Sequence, residues 1–293
     1  MNPDTVKQKE IKPAISGYIR ESQSLLKKSS VPDEDTVHEI RILMKKSRAA
    51  LKLTVSQIDK TSFDRDLSAF REIGRILSLW RELSVQRKTL KELRKEHPGI
   101  FFKLRDYEKL TSILKKMEPV PELFDELKAG LEQINNLLWK AGFRIRFQSM
   151  KQFDPQLFLH ELEMTYNKTF NIYLKCRNNP QPETLHELRK KAKDFLYQLS
   201  FFRSLNPTVI KSLEKRLDVM TWNLGKINDL TQVVRTLGYD LKDSSNLPSL
   251  NKLIIKIREK QDRYLNRVWP SAYKIFCPGQ SLPGVLGINK NLK

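Results

Sequence analysis

No run of about 18 apolar residues occurs in the sequence, so no membrane-spanning helix is expected. The first residues, MNPDTVKQKEIKP, lack the apolar core of a secretory signal. Cysteine is nearly absent. Cys176 and Cys277 are too few for a disulfide framework, and neither has metal-ligand neighbours at suitable spacing. Idle thiols in a reducing compartment are the simplest reading, and the expected location is the cytoplasm. Only 10 glycines are spread over 293 residues, and long stretches lack proline. Acidic residues are also in short supply, with 34 Asp and Glu against 54 Lys and Arg, a formal charge of +20. Such an excess predicts a polyanionic partner: nucleic acid, an anionic surface or a phosphate polymer.

Apolar residues recur at spacings of three and four, as in Val37, Ile40, Met44, Ser47 and Leu51. That is one stripe of a helix, and nearly every segment repeats it, so the chain reads as all-α. The breakers predict helices over about 11–29, 35–57, 63–96, 101–117, 121–149, 156–177, 183–204, 207–237 and 249–275. Asp35 or Thr36 is the expected cap of the second. The tail from Cys277, rich in Gly and Pro, is expected to be irregular.

The sequence also echoes itself. TVHEIRILMKKSRAALKL at 36–53 is matched 148 positions later by TLHELRKKAKDFLYQLSF at 184–201. Tyr18 meets Tyr166 and Pro32 meets Pro180 at the same offset. An internal repeat of two four-helix units follows. The expected boundaries are 10–150, with an insert near 100–120, then 151–276, then the 277–293 tail.

Each echo carries a row of cations. His38, Arg41, Lys45, Arg48 and Lys52 are spaced 3, 4, 3 and 4, a stripe about 21 Å long. The row sits one position after the apolar row, hence about 100° round the helix. It holds few acids on its own face, unlike a solvated face that mixes signs. In the second copy His186, Arg189 and Lys193 repeat the start, with Lys190 beside them. Leu196 and Ser200 then replace the charges. Arg71 with Arg75, and Lys211 with Lys215, are two pairs four apart that could wall a groove. A metal site is not expected, because Arg and Lys beside each histidine would repel a cation.

These residues resemble the CHAD domain, the conserved histidine α-helical domain. VHEIRILMKKSRAALKL and LHELRKKAKDFLYQL are similar to its two signature helices, and LGKINDLTQVVRTL at 224–237 to its Leu-Gly-x-x-Asn-Asp-Leu stretch. Glu82 stands where the first half of the family often has Asp. The resemblance spans roughly residues 10–275 and implies two pseudo-symmetric four-helix bundles with a basic groove between them. It implies binding of inorganic polyphosphate. His38, Arg41, Lys45 and Arg48 would match one signature helix, and His186, Arg189, Lys190 and Lys193 the other. No E-x-E-x-K motif of the triphosphate-tunnel domain occurs, so a stand-alone module is expected.

Non-catalytic polyphosphate binding is the leading expectation, with no cofactor. Nucleic acid is the alternative partner, although aromatics are not interleaved with the basic rows for base stacking. A polyphosphate-processing enzyme is the third reading. It lacks a Walker loop, and Asp229 and Glu82 are acids better suited to pairing with cations.

Overall fold

The computed structural model describes residues 11–28, 32–105, 110, 121–148, 154–237 and 248–288. The described residues are helical, with no strand among them. In chain order the helices are α1 (Ile11–Lys27), α2 (Glu34–Lys52), α3 (Lys60–Ile76), α4 (Ser78–Glu96), α5 (Pro98–Lys103) and α6 (Pro121–Phe147). They continue as α7 (Pro155–Asn178), α8 (Pro182–Leu199), α9 (Pro207–Thr236), α10 (Pro248–Ile275) and the short α11 (Leu282–Val285). Residues 238–247, and all of 106–120 except 110, lie outside the described residues, so the expected helix over 101–117 is tested only at its start.

Local chemistry fixes the ends. Asp33, rather than Asp35 or Thr36, caps α2. Its carboxylate accepts from the Thr36 N–H at 2.7 Å, leaving Glu34 and Asp35 in the first turn, where the helix dipole favours acids. Asp59 caps α3 in the same way through Ser62. Every helix from α5 to α10 begins with Pro, at a position where a missing N–H costs nothing.

Two further expectations are corrected. The long helix expected over 63–96 is broken at Leu77, which is fully buried and ends α3. The Ser78 hydroxyl donates to the Arg75 carbonyl, one of the groups the broken ladder leaves without a helical donor. The tail is not wholly irregular. Leu282, Val285 and Leu286 fold back as α11 and join the core.

α1 packs on α2, α2 on α3, α3 on α6 and α6 on α1. Among the later helices α7 packs on α8, α8 on α9 and α9 on α10. Aromatic contacts return α10 to α7, with Tyr173 5.5 Å from Phe276 and 6.3 Å from Trp269 between ring centroids. The two groups meet where α2 contacts α8 and α4 contacts α9. One apolar core runs through both. A second cluster joins Leu90, Leu93 and Phe101 to Leu230, Val233, Leu253 and Ile257. The break at Leu77 makes that possible: α4 turns away from α3 and covers α9. None of the described helices is long and apolar enough to cross a membrane.

Candidate polyanion site

α2 and α8 meet along the flank that carries both cation rows. Their apolar rows, Val37 to Leu51 and Leu185 to Leu199, are buried in the core. One step round, each cation row is half-buried at the junction. At one end the contact is satisfied. Gln198 donates to the Ala49 carbonyl at 3.0 Å, and Lys52 forms an ion pair with Asp194. Toward the other end like charges face each other.

Lys45 is the centre of that region. Arg189 and Lys193 of α8 and Arg41 and Arg48 of its own helix surround its ammonium. Among the described residues no acid and no hydrogen-bond acceptor is bonded to it. Burial first, then those four cations, push its pKa down to about 7. Burial also pulls Arg41 and Arg48 below the usual guanidinium range, with Glu82 partly offsetting it at Arg41 and Asp194 at Arg48.

A cavity of about 270 Å³ opens beside this row, lined by Arg41, Lys45, Arg48, Arg71 and Arg75 together with Met44, Gly74 and Ser78. Its volume equals about nine waters of liquid, enough for phosphate groups. Arg41 Nη1 donates to the Gly74 carbonyl in the last turn of α3, where no further turn supplies a donor. Arg75 is clasped by Glu72 at 2.6 and 2.8 Å on the exposed side.

The second row has different partners. Lys193 pairs with Asp218 of α9 at 3.1 Å and lies over the Tyr197 ring. Arg189 lies flat on α9: a Cβ at Gly225 would stand 3.1 Å from its Nε and 3.3 Å from its Nη2. That Nε is buried without a hydrogen-bond partner. Asp229 is close enough for its charge to feel Arg189, Lys226 and Arg81, although burial still raises its pKa.

Both histidines are held neutral near pH 7. Burial lowers His38 first, then the charges of Arg81 and Lys45. Burial lowers His186 first, then Lys190 and Arg189. Asn228 opposes that shift through the ring, yet His186 Nδ1 itself is buried with no partner within hydrogen-bond geometry.

The structure therefore brings together His38, Arg41, Lys45, Arg48, Arg71 and Arg75 with Arg189 and Lys193. Lys52 is close but neutralised by Asp194. Lys190 is exposed at the rim, within electrostatic reach of His186. Lys211 and Lys215 are exposed near the start of α9, and no described contact joins them to the cluster. The α9 residues that meet the second row are Asp218, Gly225 and Asp229. Sequence reasoning missed Asp194, Asp218, Gly225 and Tyr197. A signal was present: Lys211 and Lys215 continue at helical spacing through Asp218, Trp222 and Gly225 to Asp229, and the later part of that stripe reaches α8. Arg81, one of several cations in its segment, gained its place only through the break at Leu77.

No group of three or more His, Cys, Asp or Glu able to hold a metal occurs among the described residues. What the arrangement offers chemically is a set of N–H donors and positive charges on rigid helices.

A family model described as CHAD domain matches residues 18–237, about three quarters of the chain. No curated protein matches it.

Proposed function

The chain belongs to the CHAD family, and from that premise we propose that it binds inorganic polyphosphate along the cations between α2 and α8, without catalysis. The observation that carries this is Lys45, half-buried among Arg41, Arg48, Arg189 and Lys193 with no acid bonded to it. Packing like charges at a helix junction destabilises the fold. An anionic ligand reverses the sign of that term, because each phosphate oxygen accepts what the free protein leaves unmatched. Arg41, Arg48 and Arg71 would present forked donors and Lys45 a mobile point charge. His38 and His186 would act as donors at the start of each row, and a bound polyanion favours their protonated forms.

Two further features belong to this reading. The helix groups α1–α3 with α6, and α7–α10, are taken as copies of one unit, since α2 and α8 carry the same sequence echo. The cytoplasm is taken as the location, because Cys176 and Cys277 are free thiols.

The test is binding of long-chain polyphosphate to the wild-type protein and to the Arg41→Ala/Lys45→Ala/Arg189→Ala variant. Loss of affinity in the variant is expected, and equal affinity overturns the site. Competition separates the partners: polyphosphate should displace labelled RNA at far lower phosphate concentration, whereas the reverse order makes RNA the ligand. Incubation with polyphosphate and Mg²⁺ should release no phosphate.

A further inference from the structure

Lys45 has a chemical property that anion binding does not use. Its side chain lines the cavity beside α2. Arg41 and Arg48 flank it on α2, and Arg189 and Lys193 face it from α8, with Arg189 acting on it most strongly. Arg71 and Arg75 of α3 stand on the same cavity. His38, two turns earlier on α2, feels the Lys45 charge, and from α4 Arg81 and Glu82 act on Arg41. The other acids nearby are engaged: Asp194 with Lys52, Asp218 with Lys193 and Glu72 with Arg75. The cluster therefore holds donors in excess of acceptors. Arg189 Nε is buried with no hydrogen-bond partner, at a cost that an incoming acceptor would remove.

A lysine in such a place is a nucleophile. Burial and like charge favour its neutral amine. With a pKa of about 7, about half of the molecules carry a free amine at neutral pH, roughly a thousandfold more than with an ordinary lysine. The surroundings select the product. An acylated Lys45 would be neutral and leave the arginines unmatched, whereas a carbamate puts a carboxylate among them. In that step the amine lone pair attacks the carbon of CO₂ and an N–C bond forms. One C–O π pair moves onto oxygen, and a proton leaves the nitrogen for solvent. Nothing is oxidised or reduced, and no other group departs. The three added atoms fit a cavity of about 270 Å³. An exposed carbamate reverts to amine and CO₂, but charge-assisted hydrogen bonds from guanidinium groups oppose reversal.

We propose that Lys45 is a carboxylation site: dissolved CO₂ adds to its amine, and Arg41, Arg48 and Arg189 hold the resulting carbamate. The proposal uses the cation cluster described above but does not require polyphosphate to bind there. Where polyphosphate does bind, the two exclude each other. A phosphate polymer favours the ammonium form of Lys45, and the carbamate sets an anion in the polymer's place. Dissolved CO₂ would then regulate the site.

The experiment equilibrates the full chain near pH 8 with isotopically labelled bicarbonate, traps carbamates as ethyl esters with triethyloxonium, and reads the digest by mass spectrometry. The label on Lys45 should exceed that on the exposed Lys211 and Lys215 about 10-fold or more. Arg189→Gln, with folding verified by circular dichroism, should lower the Lys45 label about 10-fold, the loss of one charge-assisted contact. Saturating long-chain polyphosphate should erase it. An unlabelled Lys45, labelling no greater than at Lys211 and Lys215, or a label indifferent to Arg189→Gln each overturn the proposal. A Lys45 label that survives bound polyphosphate upholds the carbamate and moves the polymer off Lys45. Polyphosphate binding that depends on Lys45, with no label there, overturns the carbamate alone.

Discussion

α2 and α8 begin with the same His-Arg-Lys order, yet they present their cations differently. Along α2, Arg41, Lys45 and Arg48 open onto a cavity, and Lys45 has no bonded acid. Along α8, Arg189 is laid on the Gly225 backbone, and Lys193 is held by Asp218. α8 even sends an acid across, from Asp194 to Lys52. The difference comes from the neighbours. α3 ends beside α2 and offers Arg71 and the Gly74 carbonyl that holds Arg41, whereas α9 runs unbroken past α8 and offers acids and a glycine. A repeated motif therefore specifies where cations start, and the adjoining helix decides whether they are available to a ligand.

The comparison breaks most directly if the two rows contribute equally. Lys45→Ala/Arg48→Ala should weaken polyphosphate binding about 100-fold or more, at roughly 1.5–3 kcal/mol for each charge-assisted contact. Lys193→Ala, already neutralised by Asp218, should weaken it only about 3-fold. Isothermal titration at one fixed salt concentration measures both, and equal losses would remove the distinction.

A second prediction uses protons. With Lys45 at about 7 in the folded chain and 10.5 as the ordinary value, the unfolded chain binds a proton that the folded chain lacks between those limits. This residue therefore makes stability rise with pH from about 7 to 10.5, and below 7 its full cost is felt. Lys45→Met should raise the melting temperature by about 4 °C or more near pH 6, and the gain should shrink toward pH 10. Binding of polyphosphate near pH 8 should take up protons at Lys45. That uptake appears as a buffer-dependent binding enthalpy, and it should fall sharply in Lys45→Met.

Smaller effects sharpen the α8 side. Gly225→Ala improves helix propensity by up to about 1 kcal/mol but pushes Arg189 off α9. Affinity should change by about 3- to 10-fold while thermal stability changes little, as read by titration and melting together. Asp218→Asn releases Lys193 and should raise affinity about 2- to 3-fold. No change would mean that Lys193 lies outside the ligand's path.

The all-α fold was legible because apolar spacing of three and four allows only a helix to bury its stripe, and prolines located most of the later helix starts. The cation row of α2 was legible for the same reason: spacing alone puts His38 to Lys52 on one flank. Other features were not. The break at Leu77, a fully buried residue, has no Pro to announce it and only Gly74 one turn before it, and a lone Gly inside a helical pattern is tolerated. Asp218 and Gly225 matter because antiparallel packing of α8 on α9 brings them to Lys193 and Arg189, and a linear sequence carries no register between separate helices. Lys211 and Lys215 share their stripe but lie too near the start of α9 to join the cluster.

What the sequence determined by itself was therefore periodic: helices, their apolar faces, and two rows of cations one step round from the core. Those are local consequences of 3.6 residues per turn. The tertiary structure alone decided which charges meet. It placed Lys45 against Arg189 and Lys193, gave Lys193 an acid, and left the α2 row facing a cavity. Electrostatic energy depends on distances between side chains far apart in the chain, and only helix packing sets those distances.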